Sequence, residues 1–227
     1  MFLTPRHLRR YRQIVQTLIR HGLGVLVSQT TLDKRLRLPP RLLGRPAAAP
    51  ELTRGQHVRL ALEELGPTYI KLGQLLSTRP DLIPPDVIQE LRQLQDNAPQ
   101  LPWDTVEACI EAELGKPVNQ LFASYDPIPL AAASLAQVHA ATLANGQEVV
   151  VKVQRPGIEP TIDIDLDILY DLANLLQEHT WLGEHYDLVE VAEDFAATLR
   201  NEMDFRREGR NADRFRQSFA DDPQLVI

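Results

Sequence analysis

Apolar residues recur at helical spacing from Leu52 to about Leu65, where Gly66-Pro67 interrupts the run and starts a second helix carrying "IKLGQLL". A further helix is expected after Pro84-Pro85, with Asp86 in its first turn, and another from Pro102 to a stop at Gly115. Around residue 127 the period changes. The stretch "SLAQVHAATLANGQEVVVKVQ", residues 134–154, reads as two strands joined through Asn145-Gly146, a dipeptide that tolerates the positive φ angles of a tight hairpin. On the second strand Val149, Val151 and Val153 form one side, and Val150 with Lys152 the other. After Pro156-Gly157 the pattern predicts a helix from Ile158 to His179, then one long polar helix from Leu188 to Phe219.

With 44% hydrophobic and 24% charged residues over 227 positions, the chain can bury one substantial core or two modest ones, which excludes disorder throughout. Its one cysteine, Cys109, supplies neither a disulfide nor a zinc-site spacing. No apolar run reaches the length of a membrane-spanning helix; "GLGVLVS" is the nearest and is short. Charge is uneven: residues 1–45 hold ten Lys or Arg against the single acidic Asp33, within an overall balance of −7. Such an arm suits an anionic lipid surface or a partner, or is simply the solvated face of a first helix. Nucleic acid fits poorly, because the arm lacks aromatic interleaving and the body is acidic. "LPPRLLGRPAAAP", residues 38–50, reads as a connector.

Candidate chemistry gathers on a few ionisable side chains. Lys71 and Gln74 share one face of an otherwise core-forming helix. They either face a site, or Lys71 snorkels from ordinary packing. Lys152 lies in mid-strand, either reaching water from an edge or contacting phosphate as in a kinase small lobe. Ahead of it, Ala131, Ala132, Ala133 and Ser134 are small enough to let a hairpin backbone approach a polyphosphate. Beyond it, "NEMDFRREGRN" offers Glu202, Asp204 and Glu208; either glutamate can neutralise Lys152, and Asp204 and Glu208 share a helical face. Two other signals fall away. "DIDLD" (Asp163, Asp165, Asp167) has Ile168 where a calcium loop needs glycine and reads as an acidic helix face, and "ELGKP" lacks the rest of a phosphate loop. The six histidines are too scattered to argue for a metal.

Taken together, "KLGQ" at Lys71–Gln74, "AAAS" at Ala131–Ser134, "VVKVQRPG" around Lys152 and "NEMDFRREGRN" resemble the UbiB family of atypical protein-kinase-like ATPases, over roughly residues 55–227. The resemblance implies an α+β protein-kinase-like small lobe preceded by a helical extension packed over the nucleotide cleft. On that basis residues 1–50 are expected to be a basic arm and connector, 51–126 the extension, and 127–227 the small lobe, with a new kinase strand starting in "DDPQLVI". It also implies ATP in the cleft. Lys152 would pair with Glu208, and Lys71 with Glu202 and Asp204. The ligands of Mg²⁺ are expected in a large lobe that this chain lacks, so the chain alone is expected to be inactive. Isoprenoid quinone biosynthesis or lipid homeostasis is the implied role, with nucleotide, quinone-pathway proteins or an anionic membrane as partners. The implied location is cytoplasmic or peripheral on a membrane. The competing expectation is a catalytically silent module that binds a membrane or a partner.

Overall fold

The computed structural model describes residues 4–24, 52–94, 100–220 and 222. The connector at 38–50 and the strand expected in "DDPQLVI", Asp222 apart, lie outside the described residues. The first helix, α1 (Pro5–Arg20), is capped by Thr4, whose hydroxyl accepts from the His7 N–H. The next, α2 (Arg54–Leu65), opens with a capping box in which Thr53 and Gln56 satisfy each other's backbone N–H. Gly66 then takes φ 95°, a conformation open to glycine, and Pro67 begins α3 (Pro67–Leu76). Both α4 (Pro85–Leu91) and α5 (Trp103–Leu114) start after a proline, as the sequence predicts, and Gly115 ends α5 in the left-handed region.

A single turn, α6 (Val118–Leu121), leads into a small antiparallel sheet of β1 (Phe122–Tyr125), β2 (Ala131–Ala132), β3 (Ala136–Leu143) and β4 (Glu148–Gln154). The sheet therefore begins ahead of the period change at 127, because β1 is too short to show an alternation. Strand β3 is central: β4 runs along one edge, while β1 and β2 share the other. The β3–β4 turn has Gly146 at φ 85°, and the Asn145 side chain accepts from the Gln147 N–H.

Directly opposed residues share a face. Gln137, His139 and Ala141 oppose Val153, Val151 and Val149 on the covered side; Val138 and Ala140 oppose Lys152 and Val150 on the open side. The covered side packs against α5 through Val106, Ile110 and Val153. Buried among the apolar groups there, Gln137 accepts from the Leu101 N–H and donates to His139 Nε2 at 3.2 Å. His139 Nδ1 then donates to the Asp126 carbonyl at 2.9 Å, so both ring nitrogens are engaged within the fold.

Past Gly157, α7 (Ile158–His179) spans the limits predicted for it and is followed by a short α8 (Trp181–His185). The long polar helix expected from Leu188 to Phe219 is two helices, α9 (Leu188–Met203) and α10 (Phe205–Ser218). The break is at Asp204, whose φ −83° and ψ 81° leave the helical region while its carboxylate accepts from the Arg207 N–H at 2.9 Å. Local capping outcompetes continuation there because, among the described residues, none of α10 is buried.

Two clusters join the helices around the sheet. Ile162 and Leu166 of α7 meet Phe195, Ala196 and Leu199 of α9, with Leu135 from the sheet and Leu72 and Leu75 of α3 against them. Tyr11 and Ile14 of α1 meet Leu65, Tyr69 and Ile168.

Candidate functional site

Strand β4 lifts Lys152 onto the open face of the sheet, and its ammonium meets the Glu208 carboxylate of α10 at 2.7 Å. The same ammonium lies 4.5 Å from the centroid of the Phe205 ring, so two residues of the first turn of α10 steady it. Across the hollow, Lys71 of α3 lies 3.2 Å from Glu202 at the end of α9. The break at Asp204 is what allows this. Two glutamates six positions apart would diverge on one straight helix, whereas here they approach one cavity from two helices.

That cavity, about 550 Å³, is lined by Lys71, Lys152, Glu202 and Glu208, together with Ala133 and Ser134 of the hairpin between β2 and β3. A larger hollow of about 850 Å³ lies toward the hairpin end of the sheet, around Tyr125, Thr142 and Val149. It brings no two opposite charges together, so the smaller cavity is the better candidate. The hairpin is tight: Ala131 and Ala132 pair with Val138 and Gln137, and the Ala133 N–H donates to the Ala136 carbonyl at 2.8 Å. With no long side chain above it, the hairpin backbone is accessible from the cavity.

Arg155 holds this hairpin from below. Its Nε donates to the Ala133 carbonyl at 3.0 Å, and its backbone N–H donates to the Leu135 carbonyl at 3.0 Å. Burial pushes the Arg155 guanidinium pKa down from its ordinary value. Sequence reasoning passed over Arg155 and Phe205. The signal for the first was a long cation placed between a strand end and a Pro-Gly turn, next to the hairpin that β4 adjoins.

Two predicted residues take other work. Gln74 donates through Nε2 to the backbone carbonyl of Leu94 at 3.1 Å, tying α3 to the end of the α4 segment. It also lines a small apolar recess of about 180 Å³ with Lys71, Leu75 and Phe195. Asp204 caps α10 and lies 3.6 Å from Arg210. Between Lys71 and Gln74, Gly73 is structural: a Cβ there would sit 2.3 Å from Leu94 Cδ1 and 2.8 Å from Leu62 Cδ1. Among the described residues, no group of three or more His, Cys, Asp or Glu could hold a metal ion.

The strand lysine, helix glutamate and small-residue hairpin fall inside residues 93–227, which match the family described as the ABC1 atypical kinase-like domain. The chain belongs to this family. Its fold is α+β and kinase-like, with a helical segment ahead of the sheet. Among its curated relatives is a Marinobacter nauticus protein named "Probable protein kinase UbiB", 50% identical over 78% of this chain and 32% of the relative. A Pseudomonas aeruginosa protein of the same name is 43% identical over 96% of this chain and 42% of its own length. This chain thus spans about a third to two fifths of these relatives. A solved complex of Mycobacterium tuberculosis Rv3197 with erythromycin is 31% identical, with a TM-score of 0.49 over 71% of this chain and 41% of that one. The kinase-like family thus includes both the Lys152 strand and the Glu208 helix within its matched span.

Proposed function

We propose that this chain is the nucleotide-binding portion of a UbiB-like atypical kinase or ATPase that uses ATP in support of isoprenoid quinone biosynthesis. The observation that carries the reading is the 2.7 Å Lys152–Glu208 pair at a cavity that also takes in the alanine hairpin. Lys152 supplies positive charge to a polyphosphate, and Glu208 aims it. The hairpin at Ala131–Ser134 lets its backbone lie close to the phosphates, while Arg155 keeps it in place. On the same sheet face, Val138, Ala140 and Val150 form an apolar strip beside Lys152, and Val150 is 67% exposed. An apolar strip of this kind fits the flat face of a nucleobase.

Mg²⁺ does not fit the residues here. The two carboxylates of the cavity, Glu202 and Glu208, are both engaged by lysines. Its ligands, and the groups for phosphoryl transfer or hydrolysis, belong to the large lobe that the family resemblance implies. What these residues do is bind and orient.

One observation favours attachment to an anionic surface as an added property. Arg6, Arg9 and Arg12 are exposed on the side of α1 away from the body. No helix among the described residues is long and apolar enough to cross a membrane, so contact through this face would be peripheral.

Calorimetric titration of MgATP into the intact protein tests the nucleotide reading. Lys152→Ala is expected to weaken binding about tenfold or more, the scale of one lost charge-assisted hydrogen bond. Unchanged affinity and unchanged hydrolysis would overturn it.

A further inference from the structure

Arg10 occupies the point where α1, the α2–α3 joint and α7 meet. Its Nε and Nη2 donate to the two carboxylate oxygens of Asp165 at 2.6 and 2.8 Å, and Nη2 donates also to the Leu65 carbonyl at 2.7 Å. Nη1 donates to Gln13 at 2.8 Å, and the guanidinium carbon lies 5.6 Å from the Tyr69 ring centroid. The two charged side chains are 12% and 1% exposed. The acidic face "DIDLD" is thus the seat of the basic helix: Asp167 also accepts from His7 at 3.0 Å, and Asp171 of the same helix accepts from the Tyr11 hydroxyl at 2.7 Å.

A buried ion pair is a poor device for stability alone, since apolar groups of equal volume serve packing as well or better. What it adds is direction. Leu65 is the last residue of α2, where carbonyls lack an intrahelical partner. A guanidinium can meet a carboxylate with two parallel bonds and a carbonyl with a third, which an ammonium cannot do in the same plane. From Leu65 the chain turns at Gly66 into α3, and Tyr69 precedes Lys71 by half a turn. With both Leu65 and Tyr69 held by Arg10, the height and rotation of α3 over α9 are set.

We propose that Arg10 is a positioning residue of the cleft, acting through Leu65 and Tyr69 to hold Lys71 against Glu202. The placement of Lys71 stands on these contacts; its consequence for nucleotide rests on the preceding functional reading.

Brief amine acetylation of the intact protein, read residue by residue by mass spectrometry, tests the placement. Arg10→Lys is expected to raise Lys71 modification about fivefold through local opening, while exposed Lys116 stays as in the wild type. The double variant Arg10→Met/Asp165→Leu keeps the packing and removes both charges, and is expected to give the same selective rise even if the single variant unfolds. Wild-type modification of Lys71 in the folded double variant overturns the inference. So does an equal rise at every lysine in both variants. MgATP titration on the same samples separates the two ideas: a selective rise at Lys71 with unchanged affinity upholds the clamp and removes Lys71 from the nucleotide reading.

Discussion

Glu208 holds Lys152 at 2.7 Å on the open side of the cavity, and the two side chains remain 60% and 39% exposed. An ion pair this exposed contributes little to folding, because solvent screens it and two long side chains must be ordered to make it. Lys152→Ala and Glu208→Ala are therefore each expected to cost less than about 1 kcal/mol of stability. Urea denaturation checks this. A loss of several kcal/mol in either variant would make the pair a structural element and remove the argument that it is kept for ligand.

Gly73 is a different case, because its neighbours leave no room for a methyl group. Gly73→Ala places a Cβ against Leu94 Cδ1 and Leu62 Cδ1. Both are side-chain ends that can turn aside, so the expected loss is that of moderate overpacking, about 1–3 kcal/mol. Thermal unfolding of the purified variant measures it. A variant as stable as the wild type would mean that α3 can lift away from α2 and α4 freely.

Acid should loosen the contact between α1 and α2 at Glu64. The hydrogen bond from His21 is the main reason that the Glu64 carboxyl lies below its ordinary value of 4.5, with Thr17 and Arg20 adding to it. A carboxylate whose folded value is depressed contributes stability that is present above its unfolded value and is lost as pH falls through the folded one. Stability measured from pH 6 downward is therefore expected to fall more steeply through and below pH 4.5 for the wild type than for Glu64→Gln. Parallel curves for the two proteins would contradict this.

Arg6, Arg9 and Arg12 point away from the polar contacts that seat α1, so replacing them leaves the helix docked. At about 1 kcal/mol for each cation that reaches an anionic surface, the triple change to Gln is expected to weaken binding to phosphatidylserine vesicles by about two orders of magnitude at low salt. Co-sedimentation with anionic and neutral vesicles reads this directly. Equal sedimentation of wild type with both kinds of vesicle would rule the surface out.

Much of this molecule was determined by sequence alone, wherever a local cause sufficed. The turn at Gly66-Pro67, the start of α4 at Pro85, the Gly115 stop, the hairpin at Asn145-Gly146 and the limits of α7 each follow from one or two residues whose backbone preferences act without help. The division of β4 into an apolar covered face and an open face bearing Lys152 was legible for the same reason, since period 2 is a property of the strand itself. Only tertiary structure decided the rest. The helix after Leu188 breaks at Asp204, where the side chain caps α10 and none of the helix's residues is buried to hold it in line with α9, and that lack of burial leaves no local mark. Gln74 bonds to Leu94, and Arg10 to Asp165, across 20 and 155 positions of sequence. The "DIDLD" stripe reads as an acidic helix face with no partner named until the basic helix is set upon it. Hydrophobic period records which side of an element is buried; it does not record which partner a buried charge will meet, because that depends on where distant backbones bring their groups.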